Sequence, residues 1–308
     1  MTVVVKIGGA RAVDPEGALA DVASLVEGSA EPRSADDSSG QRPREGEDVV
    51  LTHGGSTAVD ETLEELGQEP TYVETPGGVV GRFTDEETMD VFKMVMPGKL
   101  NTDLVESLQN EGVNAVGLSG TDGKLLCGKR KSAVRVKEDG KKKIKRGDHS
   151  GKIESVNADL LETMLAGGYT PVVSVPVLGK EKSGGYTAVN ADADRAAAAI
   201  AGALEADLVV LTDVSGIYED PDDESTRIDS ASTPEEFAAV EDAAEGFMTK
   251  KVMAAQEALE GGAASVTVAT ANADAPITSA LAGEGTTLEP GALADDESDE
   301  ETAQEATQ

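Results

Sequence analysis

The sequence predicts an α/β protein built on a mostly parallel central sheet. Three observations point there. Short stretches are apolar at nearly every position, which is the mark of strands buried on both faces. Helical patterns lie between them. Glycine turns follow several of the apolar stretches, so loops gather at strand ends, where ligands of such sheets sit.

In order along the chain, Val3 to Gly9 is a β-branched run ending in Gly-Gly, and a helical pattern follows around Leu19, Val22 and Val26. Residues 28 to 47 are rich in Ser, Asp, Pro, Arg and Gly without apolar periodicity, and read as an exposed loop insertion. Asp48 to Gly55 repeats the strand-then-glycine design, with a helix expected over Thr57 to Leu66. Thr84-Asp85-Glu86-Glu87 has capping-box spacing and opens a further helix, which Pro97 is expected to break or kink before another from about Lys99. Strands are expected at Asn114 to Gly120, Pro171 to Pro176, Ala206 to Asp213 and Ser265 to Thr270. Helices are expected at Ser155 to Leu165, Asp192 to Leu204 and Phe247 to Leu259. The segment 294 to 308 is acidic and apolar-poor, and reads as a disordered tail.

A net charge of -33 and a pI near 4.2 over 308 residues disfavour binding to nucleic acid or anionic membrane, since both would repel the chain. The recurring apolar strands argue that this charge covers an ordinary core. Abundant Asp and Glu with few large aromatics resembles proteins of salt-accumulating halophiles, where screening makes self-repulsion tolerable. Cys127 is the single cysteine, which excludes an intrachain disulfide and a thiolate metal cluster. The start of the sequence reads directly as a strand, and no apolar run is long enough to span a bilayer, so a cytoplasmic protein is expected.

Gly123 to Lys129 has the glycine and lysine spacing of a phosphate-binding P-loop, but Arg130 stands where the magnesium-binding Ser or Thr belongs, and no strand and helix flank it. The stronger signal is a set of glycine turns at strand ends: Lys6-Ile7-Gly8-Gly9, His53-Gly54-Gly55-Ser56 and Gly117-Leu118-Ser119-Gly120. Backbone amides without side chains can approach phosphate oxygens closely. Each turn alone is more often just a tight connection.

Together with Gly81-Arg82-Phe83-Thr84-Asp85, the run from Asn190 to Asp194 into an alanine-rich helix, Leu211 to Tyr218, and Gly246 to Lys251, the first two of these turns resemble the amino acid kinase family, specifically its N-acetylglutamate kinase branch, in the family's order over about residues 2 to 290. The resemblance implies a three-layer αβα sandwich. It implies an N-terminal lobe, 1-175, for substrate binding and dimerisation, and a C-terminal lobe, 176-293, for ATP with Mg2+, without a protein metal site. It also implies an ATP-dependent phosphotransferase acting on a carboxyl group, in a homodimer.

Roles follow from the resemblance residue by residue. Lys6 and Lys251 stabilise the phosphoryl group in transfer, and Asp194 holds both. Gly54, Gly55, Ser56, Arg82 and Asn190 bind the acceptor, with Arg82 on its α-carboxylate. Lys6, Gly8, Gly9, Thr212, Asp213, Gly216, Tyr218 and Lys251 contact the nucleotide. The physics agrees, because phosphoryl transfer to an ionised carboxylate needs positioning and cations rather than a base. A register that gives the aspartate role to Asp192 stays open. Taken alone, Arg82 also fits a surface ion pair, Lys251 beside Lys250 a solvated lysine, and His53 a turn residue.

Lys250 and Ser56 depart from the usual N-acetylglutamate kinase pattern. With the stretch from Gly81 to Asn101, they resemble more the kinases that act on glutamate or 2-aminoadipate attached to a small acidic amino-group carrier protein, LysW, in arginine or lysine biosynthesis. Lys124 to Lys152 holds twelve Lys or Arg against three acids, a net 12 - 3 = +9 on a chain otherwise at -33 - 9 = -42. Alternation around Ala133 to Val136 and the turn at 138 to 140 read as a basic β-hairpin, suited to docking an acidic partner. Free N-acetylglutamate remains the alternative substrate. A non-catalytic regulator of the same fold is the alternative of another class.

Overall fold

In the computed structural model, residues 1–9, 15–27, 46–78, 80–138, 141–244 and 246–293 are described. The expected loop insertion (28 to 47, apart from its last two residues) and the acidic tail lie outside them. The elements run β1 (Thr2–Ile7), α1 (Glu16–Glu27), β2 (Asp48–His53), α2 (Ser56–Glu65), β3 (Tyr72–Glu74), β4 (Val80–Arg82), α3 (Glu86–Lys93), α4 (Asn101–Asn110), β5 (Ala115–Gly120), β6 (Leu126–Glu138), β7 (Lys141–Val156), α5 (Ala158–Ala166), β8 (Thr170–Lys180) and β9 (Tyr186–Val189). They continue α6 (Ala193–Ala203), β10 (Asp207–Thr212), β11 (Ile217–Tyr218), β12 (Arg227–Ile228), β13 (Ser230–Ala231), α7 (Pro234–Ala243), α8 (Phe247–Glu260), β14 (Ser265–Thr270), α9 (Pro276–Leu281) and β15 (Thr286–Leu288).

Among the described residues the central sheet runs β13-β15-β14-β10-β1-β2-β8-β6-β7, with β5 and β9 also paired to β8. Its heart, β14-β10-β1-β2-β8, is parallel throughout. The strands are fully apolar because alternate residues serve two cores. Val4, Val50, Leu208 and Val210 face one side, covered by α2, α3, α5, α6, α7 and α8. Val3, Val5, Ile7, Val49, Leu51, Val209 and Leu211 face the other, covered by α1, α4 and α9. This is the expected three-layer αβα sandwich.

Parallel strands aligned in register bring their carboxyl ends to one edge. Ile7 pairs with His53 on one flank and with Leu211 on the other. The loops after β1, β2 and β10 therefore open side by side, and the chain crosses from one flank of β1 to the other here, the switch point at which such sheets bind ligands.

Three local expectations are corrected. Asp85, not Thr84, caps α3, its side chain accepting from the Thr88 N–H; Thr84 is fully buried and engaged elsewhere. Pro97 does not end the helix: the chain passes from α3 through a π-helical segment, Met94–Leu100, into α4 with helical backbone at both junctions. The wider turn accommodates a proline that lacks an N–H. The helix expected from Ser155 begins instead at Ala158, because Ser155 and Val156 still pair with β6.

β6 and β7 pair antiparallel from Leu126↔Val156 out to Glu138↔Lys141. Gly123 and Gly128 fall in a short 3₁₀ turn and on β6, and Arg130 is on the same strand, so the P-loop spacing has no strand-to-helix setting.

Candidate active site

Lys6 is the penultimate residue of β1, with its side chain only 6% exposed at the sheet's carboxyl edge. An ammonium at such depth requires an anion nearby. Asp194 supplies it from the first turn of α6: its Oδ1 lies 2.6 Å from Lys6 Nζ, close in distance but off the hydrogen-bonding direction. The other oxygen, Oδ2, lies 3.5 Å from Lys251 Nζ, in the first part of α8.

Local sequence explains how three distant residues meet. Asp192 is the N-cap of α6, and its Oδ1 accepts from the N–H groups of Asp194 and Arg195, which fixes the start of the helix and leaves Asp194 pointing inward. It is Asp194, and not Asp192, that lies between the two lysines. The alanine-rich α6 packs closely on α8: a Cβ on Gly202 would stand 2.8 Å from the Gly261 carbonyl oxygen. An Arg195–Glu257 ion pair at 3.0 Å ties the same two helices. Lys250 points away, donating to the Val80 carbonyl at 2.7 Å, so helix phase separates it from Lys251.

The electrostatics suit an anionic ligand. For Asp194, burial pushes the carboxyl pKa upward, but the charges of Lys6 and Lys251 overcome this and hold it below the ordinary value. Lys251 is shifted below the ordinary lysine value, first by burial and then by the Lys6 charge, against the pull of Asp194. Two ammoniums share one carboxylate, so the cluster has a surplus positive charge that no second ion pair among the described residues balances.

The glycine turns interlock beside it. A Cβ on Gly9 would lie 2.1 Å from Gly55 N, and one on Gly54 would lie 2.8 Å from Gly9 N. Gly8 donates to the Leu211 carbonyl and Gly54 to the Ile7 carbonyl, so these two amides hold the sheet edge together. The turns border a cleft of about 820 Å³ walled by α1, α2 and α4. Beneath them, His53 is buried with Nδ1 at 3.0 Å from the Gly54 carbonyl and Nε2 at 3.3 Å from Asn101 Nδ2. Nδ1 must donate there and Nε2 accept, which requires the neutral ring. Burial, joined by the Lys6 charge, lowers its pKa against the opposing Gly54 hydrogen bond. His53 is a structural residue of the turn.

Arg82 and Asn190 are held by partners of their own. Arg82 pairs with Asp60, donates to the Ser56 carbonyl at 2.9 Å and to the Tyr72 hydroxyl at 3.1 Å, and lies 5.3 Å from the Tyr72 ring centre. The Tyr72 hydroxyl donates to Asp60 at 2.7 Å, and its pKa is pushed up to about 12, by burial first and then by that bond. Ser56 thus contributes a carbonyl to Arg82. Asn190 donates to the Thr84 hydroxyl at 3.0 Å.

Thr212 ends β10 and Asp213 follows it, joined by a 3.0 Å bond from the Thr212 hydroxyl to the Asp213 carboxylate, next to Leu211, whose carbonyl accepts from Gly8. Gly216 packs at Thr286 and Arg227, and Tyr218 is half-buried on β11. No hydrogen bond or ion pair among the described residues joins these four to the lysine cluster. Sequence reasoning gave no site role to Asp60, Tyr72 or Asp148, and read Thr84 only as a helix cap. Asp148 had a visible signal, being the lone acid between Lys141 and Lys152.

A profile of the Amino acid kinase family matches residues 1–270. The chain belongs to the amino acid kinase family. The [LysW]-aminoadipate kinase of Deinococcus radiodurans is 42% identical over 287 residues, covering 93% of this chain and 91% of the relative. That of Thermus thermophilus is 40% identical, over 93% and 99%. The acetylglutamate kinase of Methanopyrus kandleri is 43% identical over 70% of this chain and 83% of its own length. Among solved structures, the N-acetylglutamate synthase of Neisseria gonorrhoeae superposes with a TM-score of 0.68 at 23% identity, covering 94% of this chain and 59% of the other, a likeness of fold.

Proposed function

We propose that this kinase transfers the γ-phosphoryl group of ATP to the side-chain carboxylate of glutamate or 2-aminoadipate whose amino group is attached to an acidic carrier protein, LysW. The observation that carries the reading is the Lys6–Asp194–Lys251 cluster at the meeting point of three strand ends, in a chain whose relatives of that name align over 93% of its length.

The acceptor carboxylate is already ionised at neutral pH, so no general base is required. One of its oxygens attacks the γ-phosphorus, the bond to the bridging β–γ oxygen breaks, and an acyl phosphate and ADP result. Lys6 and Lys251 neutralise charge on the transferring group, and Asp194 keeps two like charges close enough to act together. Gly9, Gly55 and Ser56 offer backbone donors at the turns, with Gly8 and Gly54 shaping them. Arg82 and Asn190 orient the acceptor, Arg82 by exchanging part of its bonding to Asp60 for the α-carboxylate. Thr212, Asp213, Gly216 and Tyr218 line the nucleotide side. Mg2+ would arrive with the nucleotide and neutralise part of its phosphate charge; Lys6 and Lys251, as ammoniums, would not be its ligands.

Residues 1-175 would then carry the acceptor and the dimer contact, and 176-293 the nucleotide. The carrier would dock on the basic stretch from Lys124 to Lys152. Contact-range pairs must carry that docking at high salt, since screening removes longer-range steering. A homodimer, a cytoplasmic setting and adaptation to high salt belong to the same reading. None of the described helices is long and apolar enough to cross a membrane.

Free N-acetylglutamate is the second reading, favoured by the acetylglutamate kinase relative at 43% identity. ADP release at high salt, measured with carrier-linked glutamate or aminoadipate and with N-acetylglutamate, separates the two. Higher kcat/KM for a carrier-linked acceptor is expected. Equal or better turnover of the free acetylated compound would sink the carrier reading, and ATP binding without turnover of any acceptor would favour a regulator.

A further inference from the structure

Asp148 lies on β7 and is fully buried, yet it belongs to no ion pair among the described residues and has no place in the chemistry above. A buried carboxylate must be satisfied by hydrogen bonds. Its Oδ1 accepts from the Thr84 N–H at 3.1 Å, and its Oδ2 from the Ser150 hydroxyl. Thr84 is likewise fully buried; its carbonyl accepts from the His149 N–H at 2.7 Å, and its hydroxyl from Asn190 Nδ2. The backbone of Asn190 closes the knot: its N–H donates to the His149 carbonyl at 2.7 Å, and its carbonyl accepts from the Gly151 N–H at 2.9 Å.

Three segments far apart in sequence are pinned by this one cluster. The first follows Arg82, the second is the middle of β7, where its pairing with β6 shifts register between Lys131 and Ala133, and the third carries Asn190 into the capped start of α6. Arg130, on β6, extends it: the guanidinium pairs with Glu181 and approaches His149 Nε2 at 2.9 Å. The two residues assigned to the acceptor are thus held in register with each other and with the strands on which the carrier docks.

We propose that Asp148 is a positioning residue for the acceptor: through Thr84 it sets the spacing of Arg82 and Asn190, and it fixes both relative to the basic strands. This rests on the acceptor roles given to Arg82 and Asn190. The nucleotide side is untouched, since none of the residues of this knot is placed there.

The test compares Asp148→Ala, Asp148→Asn and the wild type in steady-state kinetics with each substrate varied. Asp148→Ala is expected to raise the acceptor KM at least tenfold while the ATP KM stays within twofold. Asp148→Asn, which keeps an oxygen for the Thr84 N–H and an amide for Ser150, is expected to recover most of the loss. An unchanged acceptor KM in Asp148→Ala, or an equal rise in both KM values, overturns the proposal. Should Asp148→Ala fail to fold, Thr84→Val decides, because it removes only the hydroxyl that receives Asn190; it too must raise the acceptor KM alone. Amide exchange supplies a readout independent of turnover. Asp148→Ala is expected to speed exchange at residues 83–90 and 188–195 but not in β1 or β10, and uniform protection would overturn the linkage even if the kinase reading itself failed for lack of turnover.

Discussion

Asp194 reaches Lys6 at 2.6 Å from the start of a helix whose first turn is fixed by Asp192. That single contact joins the end of the first strand to the second half of the chain, and its other oxygen draws in Lys251. A carboxylate held between two ammoniums cannot be a free base. The proposed mechanism makes it an organiser and gives the action to the lysines.

Lys251→Ala should therefore lower kcat by about 10²–10³-fold, the range for removing one preorganised donor to a charged transition state, with little change in the KM for ATP. Steady-state kinetics with ATP varied checks this. A wild-type kcat in the variant would remove Lys251 from the mechanism.

The interlocked glycine turns predict strong intolerance at Gly9. Gly9→Ala places a Cβ against the Gly55 backbone, where no flexible side chain can yield. A loss of about 1–3 kcal/mol or more in denaturant unfolding is expected, together with loss of activity. Gly77→Ala, with nothing within 4 Å of its Cβ, should stay within about 0.5 kcal/mol of the parent.

His53 predicts a pH dependence of stability. Its folded pKa is lowered from 6.5, so below 6.5 the unfolded chain binds a proton that the folded one does not. Its contribution is then present above pH 6.5 and lost as pH falls from there towards the folded pKa. Denaturant midpoints should drop over that window in the wild type, and the drop should be smaller in His53→Asn. Identical pH profiles would contradict the neutral-ring assignment.

Carrier docking predicts an asymmetric response on the basic strands. Lys141→Glu with Lys142→Glu, both exposed, should raise the KM for a carrier-linked acceptor about tenfold and leave the KM for ATP unchanged. An unchanged carrier KM would free these strands for another role.

Much of the fold was legible because β1, β2, β10 and β14 are buried on both faces and so are apolar at nearly every position, while α6 and α8 keep helical periodicity. The lysine cluster was legible through the family resemblance. The resemblance already named Asp194, with Asp192 left open, and Lys251; the cap by Asp192 and the direction of Lys250 towards Val80 are what leave Asp194 and Lys251 facing each other. The path through Pro97 was misread because a π-helical turn absorbs a proline without a local sequence mark. Asp148 escaped for a different reason: its partner Thr84 lies 64 residues away, and Thr84 in turn meets Asn190 at a separation of 106. A hydrogen-bond knot of that kind leaves no periodic trace.

The most direct measurement is trapping of the product with hydroxylamine, which converts an acyl phosphate into a stable hydroxamate. With ATP and carrier-linked glutamate or aminoadipate, hydroxamate should form in step with ADP, and its rate should fall in Lys251→Ala by the same factor as kcat. ADP release by the wild type without hydroxamate would contradict phosphoryl transfer to a carboxylate at this site.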